Sequence, residues 1–114
     1  MARLQTGDII DDPSALIAQR MTEDELLANV RDAARKLGWL EYHTHDSRRS
    51  GEGFPDLVLA HRTDGRIIFA ELKRMSGKLS AAQEEWLAVL GLRGTTYVWR
   101  PDDWLAGRIE QALR

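Results

Sequence analysis

Apolar positions along this chain change period several times, and each change marks an element. Leu26, Val30, Ala33 and Leu37 recur every three or four residues, the spacing of an amphipathic helix. Thr22 and Glu25 supply the T-x-x-E of a capping box at its start, and Gly38 is placed to end it. Residues 39–43 then read as a strand. Two continuous apolar runs follow, LVLA at 57–60 and IIFAEL at 67–72. Between them Thr63-Asp64-Gly65-Arg66 carries an Asp-Gly pair, which favours the positive φ angles of a tight hairpin, so the runs are expected to pair antiparallel. Ser80 and Gln83 repeat the capping-box spacing ahead of a helix over 81–90, where Trp86, Leu87 and Leu90 keep helical spacing and read as core. TTYVWR at 95–100 is a fourth strand, rich in β-branched and aromatic residues. Pro101-Asp102-Asp103 stops it and starts a terminal helix ending near Leu113, with Trp99 and Trp104 covering the edge of the core.

The front of the chain is less regular. Residues 1–12 show no clear period, while Asp12 as N-cap and Pro13 at the first helical position would open a short helix. Residues 1–21 are therefore expected to be an arm or short helix, and 22–114 a single domain. The order is helix, three strands, helix, strand, helix. Unbroken apolar runs in the central strands predict a sheet covered on both faces, with the fourth strand joined beside the meander through a helical crossover.

That arrangement carries candidate chemistry. Glu71 and Lys73, two apart on one strand, project to the same face, and Leu72 points the other way into packing. The hairpin brings Asp56, at the start of the preceding strand, beside them. Carboxylate oxygens suit a hard cation such as Mg²⁺, which usually keeps several waters. An ion there would polarise a scissile phosphate and lower the pKa of a bound water. Lys73 could orient that water or neutralise charge developing on the phosphate. The bland alternative is a pair of strands ending in solvated charges.

Composition bounds the choice. With 114 residues, 43% hydrophobic and 30% charged, the chain has the makings of one compact core. It has no cysteine, hence neither a disulfide framework nor a thiolate metal site, and the expected location is the cytoplasm. No apolar run is long enough to cross a bilayer. A net charge of −2 does not advertise nucleic-acid binding, so attraction to phosphate has to come from local patches. His43, His45, Arg48 and Arg49 precede the candidate site, and Arg74 and Lys78 follow it. Ser47 and Ser50 could also donate to a DNA backbone, and Arg100 is a further candidate phosphate contact. His43 and His45 lack the cysteines or further nearby histidines that a tetrahedral zinc set requires.

With these residues in view, the chain resembles the PD-(D/E)xK nuclease superfamily. Within it the likeness is to the VRR-NUC domains, especially the small stand-alone phage versions. The resembling segments are Gly38-Trp39, YHTHDSRRSGEGFPDLVL at 42–59, FAELK at 69–73, GKLSAAQEEWL at 77–87 and YVWRPDDW at 97–104. The resemblance implies a restriction-endonuclease-like α/β fold, a three-layer core whose mixed sheet is flanked by helices. It also implies a Mg²⁺- or Mn²⁺-dependent nuclease without an organic cofactor, often structure-selective and often a homodimer, in the host cytoplasm if phage-encoded. Carried over by position, Asp56 and Glu71 bind metal. Glu23, on the first long helix and expected to face the interior, completes the metal shell. Lys73 assists the water or the transition state. Gln83 supports that water or a phosphate oxygen, a role set against its capping role as one that a single geometry cannot fully combine. The expected activity is hydrolysis of DNA phosphodiester bonds, with branched, flap or Holliday-junction DNA as partner. The alternatives are a non-catalytic DNA-binding or assembly module of a larger phage complex, and a hydrolase acting on RNA.

Overall fold

The computed structural model describes residues 12–44 and 51–114. Asp12 caps helix α1 (Pro13–Arg20) by accepting from the Ser14 backbone N–H at 3.0 Å, and Pro13 stands where a helix needs no donor. Helix α2 (Glu23–Lys36) opens on the reciprocal box that the sequence predicts. The Thr22 N–H donates to Glu25 Oε1 at 2.9 Å, and the Glu25 N–H donates to Thr22 Oγ1 at 3.1 Å. These bonds to Thr22 hold the Glu25 carboxyl below its usual range and give it a structural duty. On the inner side of α2, Leu26, Val30 and Ala34 are buried, Ala34 taking the place expected of Ala33. Gly38 follows the helix with φ 91°, a conformation that side chains other than glycine's resist.

Strands β1 (Trp39–His43), β2 (Leu57–His61), β3 (Ile67–Leu72) and β4 (Thr95–Trp99) form one sheet in the order β1-β2-β3-β4. The first three pair antiparallel, and β4 returns parallel to β3. A parallel neighbour needs a crossover, which helix α3 (Ala81–Leu90) supplies. The result is an α/β fold with a mixed four-stranded sheet flanked by helices, compatible with a restriction-endonuclease-like core. Leu57, Leu59, Ile68, Ala70, Leu72 and Trp99 of the sheet pack with Leu26, Val30 and Ala34. Ile109 and Leu113 complete this core from the C-terminal end of the chain. Trp39 is also buried there, its indole N–H satisfied by the Leu113 carbonyl at 2.8 Å.

Three expectations are corrected. The β2–β3 connection is not a two-residue mirror-image turn, because that turn needs positive φ at both central residues. Here only Gly65 takes it (72°), and Asp64 instead accepts from the Arg66 N–H at 3.0 Å. The terminal helix is two helices, α4 (Pro101–Leu105) and α5 (Arg108–Leu113), broken at Gly107 with φ 79°. Among the described residues the second face of the sheet is only partly covered. One helix is about 10 Å wide and strands lie about 4.8 Å apart, so α3 spans roughly two strands. It packs on β3 and β4, leaving Leu40, Tyr42 and Ile67 at 52%, 60% and 50% exposure. Among the described residues no helix is long and apolar enough to cross a membrane.

Candidate active site

The antiparallel register puts Leu57 opposite Ala70, so the next positions outward, Asp56 and Glu71, are also opposed. Asp56 is fastened to the strand it faces, with Oδ2 accepting from the Leu72 backbone N–H at 2.8 Å. Its own carbonyl accepts from the Thr44 N–H at 3.0 Å, which ties the start of β2 to the end of β1. The segment before it is shaped by Gly53. That residue has φ 85°, and a Cβ built there would stand 2.5 Å from the Ala82 carbonyl carbon. The loop leading to Asp56 therefore lies directly against the first turn of α3. Gly53→Ala is expected to lower stability by about 1–3 kcal/mol through overpacking, measured by urea unfolding. It should slow any reaction at this site as well, since both Asp56 and the start of α3 must shift.

Glu71 is the buried charged side chain among the described residues, only 2% exposed. Its Oε2 accepts from Gln83 Nε2 at 2.9 Å and faces Lys73 Nζ at 3.6 Å, too far for a hydrogen bond. Its Oε1 is buried with no hydrogen-bond partner among the described residues. Burial, followed by the neighbouring Asp56 carboxylate, pushes the Glu71 carboxyl up to about 8, against the opposing pull of the Lys73 charge. Because the folded value lies above the ordinary one of 4.5, the fold favours the protonated form. That stabilisation is complete below the unfolded value and is lost as pH rises through about 8. Thermal unfolding in EDTA from pH 5 to pH 9 should show a Tm that falls across this window and a flatter profile in Glu71→Gln. An identical slope in both proteins would contradict the assignment.

Gln83 forms the expected cap. Its carbonyl Oε1 accepts from the Ser80 N–H at 2.8 Å, closing the capping box of α3, while its amide Nε2 donates to Glu71. The capping geometry thus leaves the amide nitrogen free to bind a carboxylate of the candidate site.

Glu23 also departs from expectation. As the first residue of α2 it is exposed rather than interior, and it stands at the mouth of a 120 Å³ cavity. Asp24, Leu27, His43, Thr44, Asp56 and Leu72 complete the lining. Asp24, which falls off the apolar stripe of its helix, thus shares this cavity with Glu23. His43 is placed there by the end of β1, while Arg74 and Lys78 are exposed on the segment after Lys73. His45, Ser47, Arg48 and Arg49 lie outside the described residues, as does Ser50.

Trp86 is not core. It is 36% exposed, donates from Nε1 to the Glu52 carbonyl at 2.9 Å, and meets Phe54 edge to face at 5.0 Å. It braces the loop before Asp56 against α3. No local pattern signals this duty, because the partners are 34 residues apart.

Among the described residues no three His, Asp or Glu side chains converge tightly enough to hold an ion by themselves. The donor set is two opposed carboxylates, Asp56 and Glu71, the latter with an Oε1 that no donor among the described residues reaches, and Glu23 lines the cavity next to Asp56. That set fits Mg²⁺, which is commonly bound by one or two carboxylates with waters and substrate phosphate filling the remaining positions. It does not fit a closed structural site.

A family model described as the VRR-NUC domain matches the chain over residues 6–98. No curated protein and no solved structure gives a significant match.

Proposed function

We propose, since this chain belongs to the VRR-NUC domain family and hence to nuclease-type DNA-processing domains, that it is a metal-dependent endonuclease selective for DNA structure. The observation that carries this reading is the convergence on Glu71 of an opposed carboxylate, an amine and an amide, beside a buried oxygen that no donor among the described residues reaches. A bound Mg²⁺ or Mn²⁺ would supply Lewis acidity towards a scissile phosphate and an activated water.

The chain's own residues do the rest. Asp56 and Glu71, opposed across two strands whose register is fixed by the ladder, would hold the ion, and Glu23, in the lining of the adjoining cavity, would support it. Gln83 keeps Glu71 Oε2 turned inward. Lys73, just beyond the end of β3 and 13% exposed, places an ammonium beside Glu71, suited to stabilising charge on the phosphate or orienting the attacking water. His43, Arg74 and Lys78, with His45, Ser47, Arg48 and Arg49, are assigned to the DNA backbone. Residues 22–114 form the nuclease unit and 1–21 lead into it. In this reading the substrate is recognised by shape, and two copies in a homodimer would cut two strands of a branched DNA. A cysteine-free chain suits the cytoplasm.

The test is a panel of labelled duplex, single-stranded, flap and four-way-junction DNA, with RNA, in Mg²⁺, Mn²⁺ or EDTA. Metal-dependent cutting that favours the branched substrates is expected. Equal rates across the DNA panel would remove the structure selectivity, and preferential cutting of RNA would reassign the substrate. Binding without cutting under every metal condition would favour a non-catalytic module.

A further inference from the structure

Arg100, just beyond β4, is remote in sequence from every residue assigned above, yet its guanidinium is committed to the segment that follows Lys73. Nη1 donates to the carbonyls of Arg74 at 2.8 Å and Gly77 at 2.7 Å, and reaches that of Met75 at 3.4 Å. Three carbonyls turned on one cationic nitrogen make a closed loop. Without the guanidinium they would be acceptors facing one another.

Arg100 is itself held on its backbone side. Its N–H donates to Asp103 Oδ2 at 2.8 Å, and the preceding residue, Trp99, accepts from the Lys73 N–H at 3.0 Å. The anchor thus belongs to the sheet, not to a loose surface arm. What it anchors bears on the site at both ends. At one end, a Cβ added to Gly77 would stand 3.3 Å from Lys73 Cδ, so the loop backbone lies against the lysine stem. At the other end, the chain runs from Gly77 through Lys78 and Leu79 to Ser80, the N-cap that shares its box with Gln83.

We propose that Arg100 is a positioning residue. By clamping residues 74–77 it fixes the loop that sets the Lys73 ammonium and the Gln83 amide against Glu71. This use of the guanidinium differs from the phosphate contact expected from the sequence, and its catalytic consequence rests on the nuclease reading above. A long, flexible lysine is placed well only when its stem is packed, and the packing surface here is the clamped loop.

The experiment compares wild type, Arg100→Ala, Lys73→Ala and the double variant by steady-state cleavage of the best panel substrate, together with amide hydrogen exchange without DNA. In Arg100→Ala the amides of residues 74–83 should exchange faster while those of β1 to β3 keep their protection. Its kcat should fall on the order of 100-fold, the scale that roughly 1 Å of misplacement produces. KM should stay nearly unchanged, and adding the change to Lys73→Ala should cost nothing more. A rise in KM with kcat intact would make Arg100 a phosphate contact and overturn the proposal. So would unchanged exchange in the loop, or full additivity with Lys73→Ala. Should Arg100→Ala lose the sheet, Arg100→Lys, which keeps the charge with a shorter reach, is read by the same criteria. If wild-type protein cuts nothing, the nuclease reading fails, and loop exchange alone still decides whether the clamp exists.

Discussion

Glu71→Gln is expected to abolish DNA cleavage, by at least about 10²–10³-fold, while leaving the metal-free protein as stable or more stable at pH 8. The two effects have one cause. Glu71 sits at 2% exposure beside Asp56, where a negative charge has no donor on Oε1 among the described residues, and on Oε2 the Gln83 amide with the Lys73 ammonium 3.6 Å away. Burying such a charge is unfavourable, so its retention argues for something that binds it. An amide keeps the shape and still accepts from Gln83, and its NH₂ group can donate to Asp56. What it cannot do is offer a second anionic oxygen to a cation. Cleavage in saturating Mg²⁺, set beside thermal unfolding in EDTA, measures both halves. Cleavage within a few-fold of wild type would remove Glu71 from the chemistry, and a large loss of stability would make it a structural residue.

Lys73→Ala is the second large effect, a loss on the order of 10²–10³-fold in kcat, the scale for removing one preorganised electrostatic group. DNA binding measured in Ca²⁺ should change little, because one ammonium among several basic groups carries a small share of backbone affinity. Lys73→Arg should not restore the rate, since a planar fork cannot replace a compact charge at the end of a packed stem. The pH profile should move too. The Lys73 charge lowers the Glu71 value, so its removal lets burial and Asp56 push that carboxyl further up, and the alkaline-rising limb of the rate should shift to higher pH. An unchanged profile, or a loss confined to DNA affinity, would assign Lys73 to binding alone.

The fold was readable where local pattern and global packing agree. The strand limits Trp39–His43 and Ile67–Leu72 follow from period-2 positions and apolar runs, and the Thr22–Glu25 and Ser80–Gln83 boxes follow from spacing. Register did the work for Asp56 and Glu71. Once the hairpin is granted, their opposition is a matter of counting, even though the turn that makes it is not the expected kind. Burial of individual side chains was less legible. The spacing to Leu26 and Leu27 points Glu23 inward, yet as the first residue of its helix it meets solvent. Helical spacing with Leu87 and Leu90 points Trp86 to the core, yet its partner is a loop carbonyl that no period encodes. Gln83 shows a different limit. Spacing identified its cap, but its bond to Glu71 depends on the direction of the far end of the amide, which exists only in three dimensions.

The central claim is that Asp56, Glu71 and Lys73 form a metal-dependent centre for cutting DNA. The most direct measurement is the single-turnover rate on a labelled four-way junction for wild type and Asp56→Ala, each in Mg²⁺ and in EDTA. Asp56 is chosen because its alanine variant leaves the Gln83–Glu71 bond and the Arg100 clamp untouched. The account predicts cleavage by wild type in Mg²⁺ and none in the other three arms. Cleavage that persists in Asp56→Ala, or in EDTA, would contradict it.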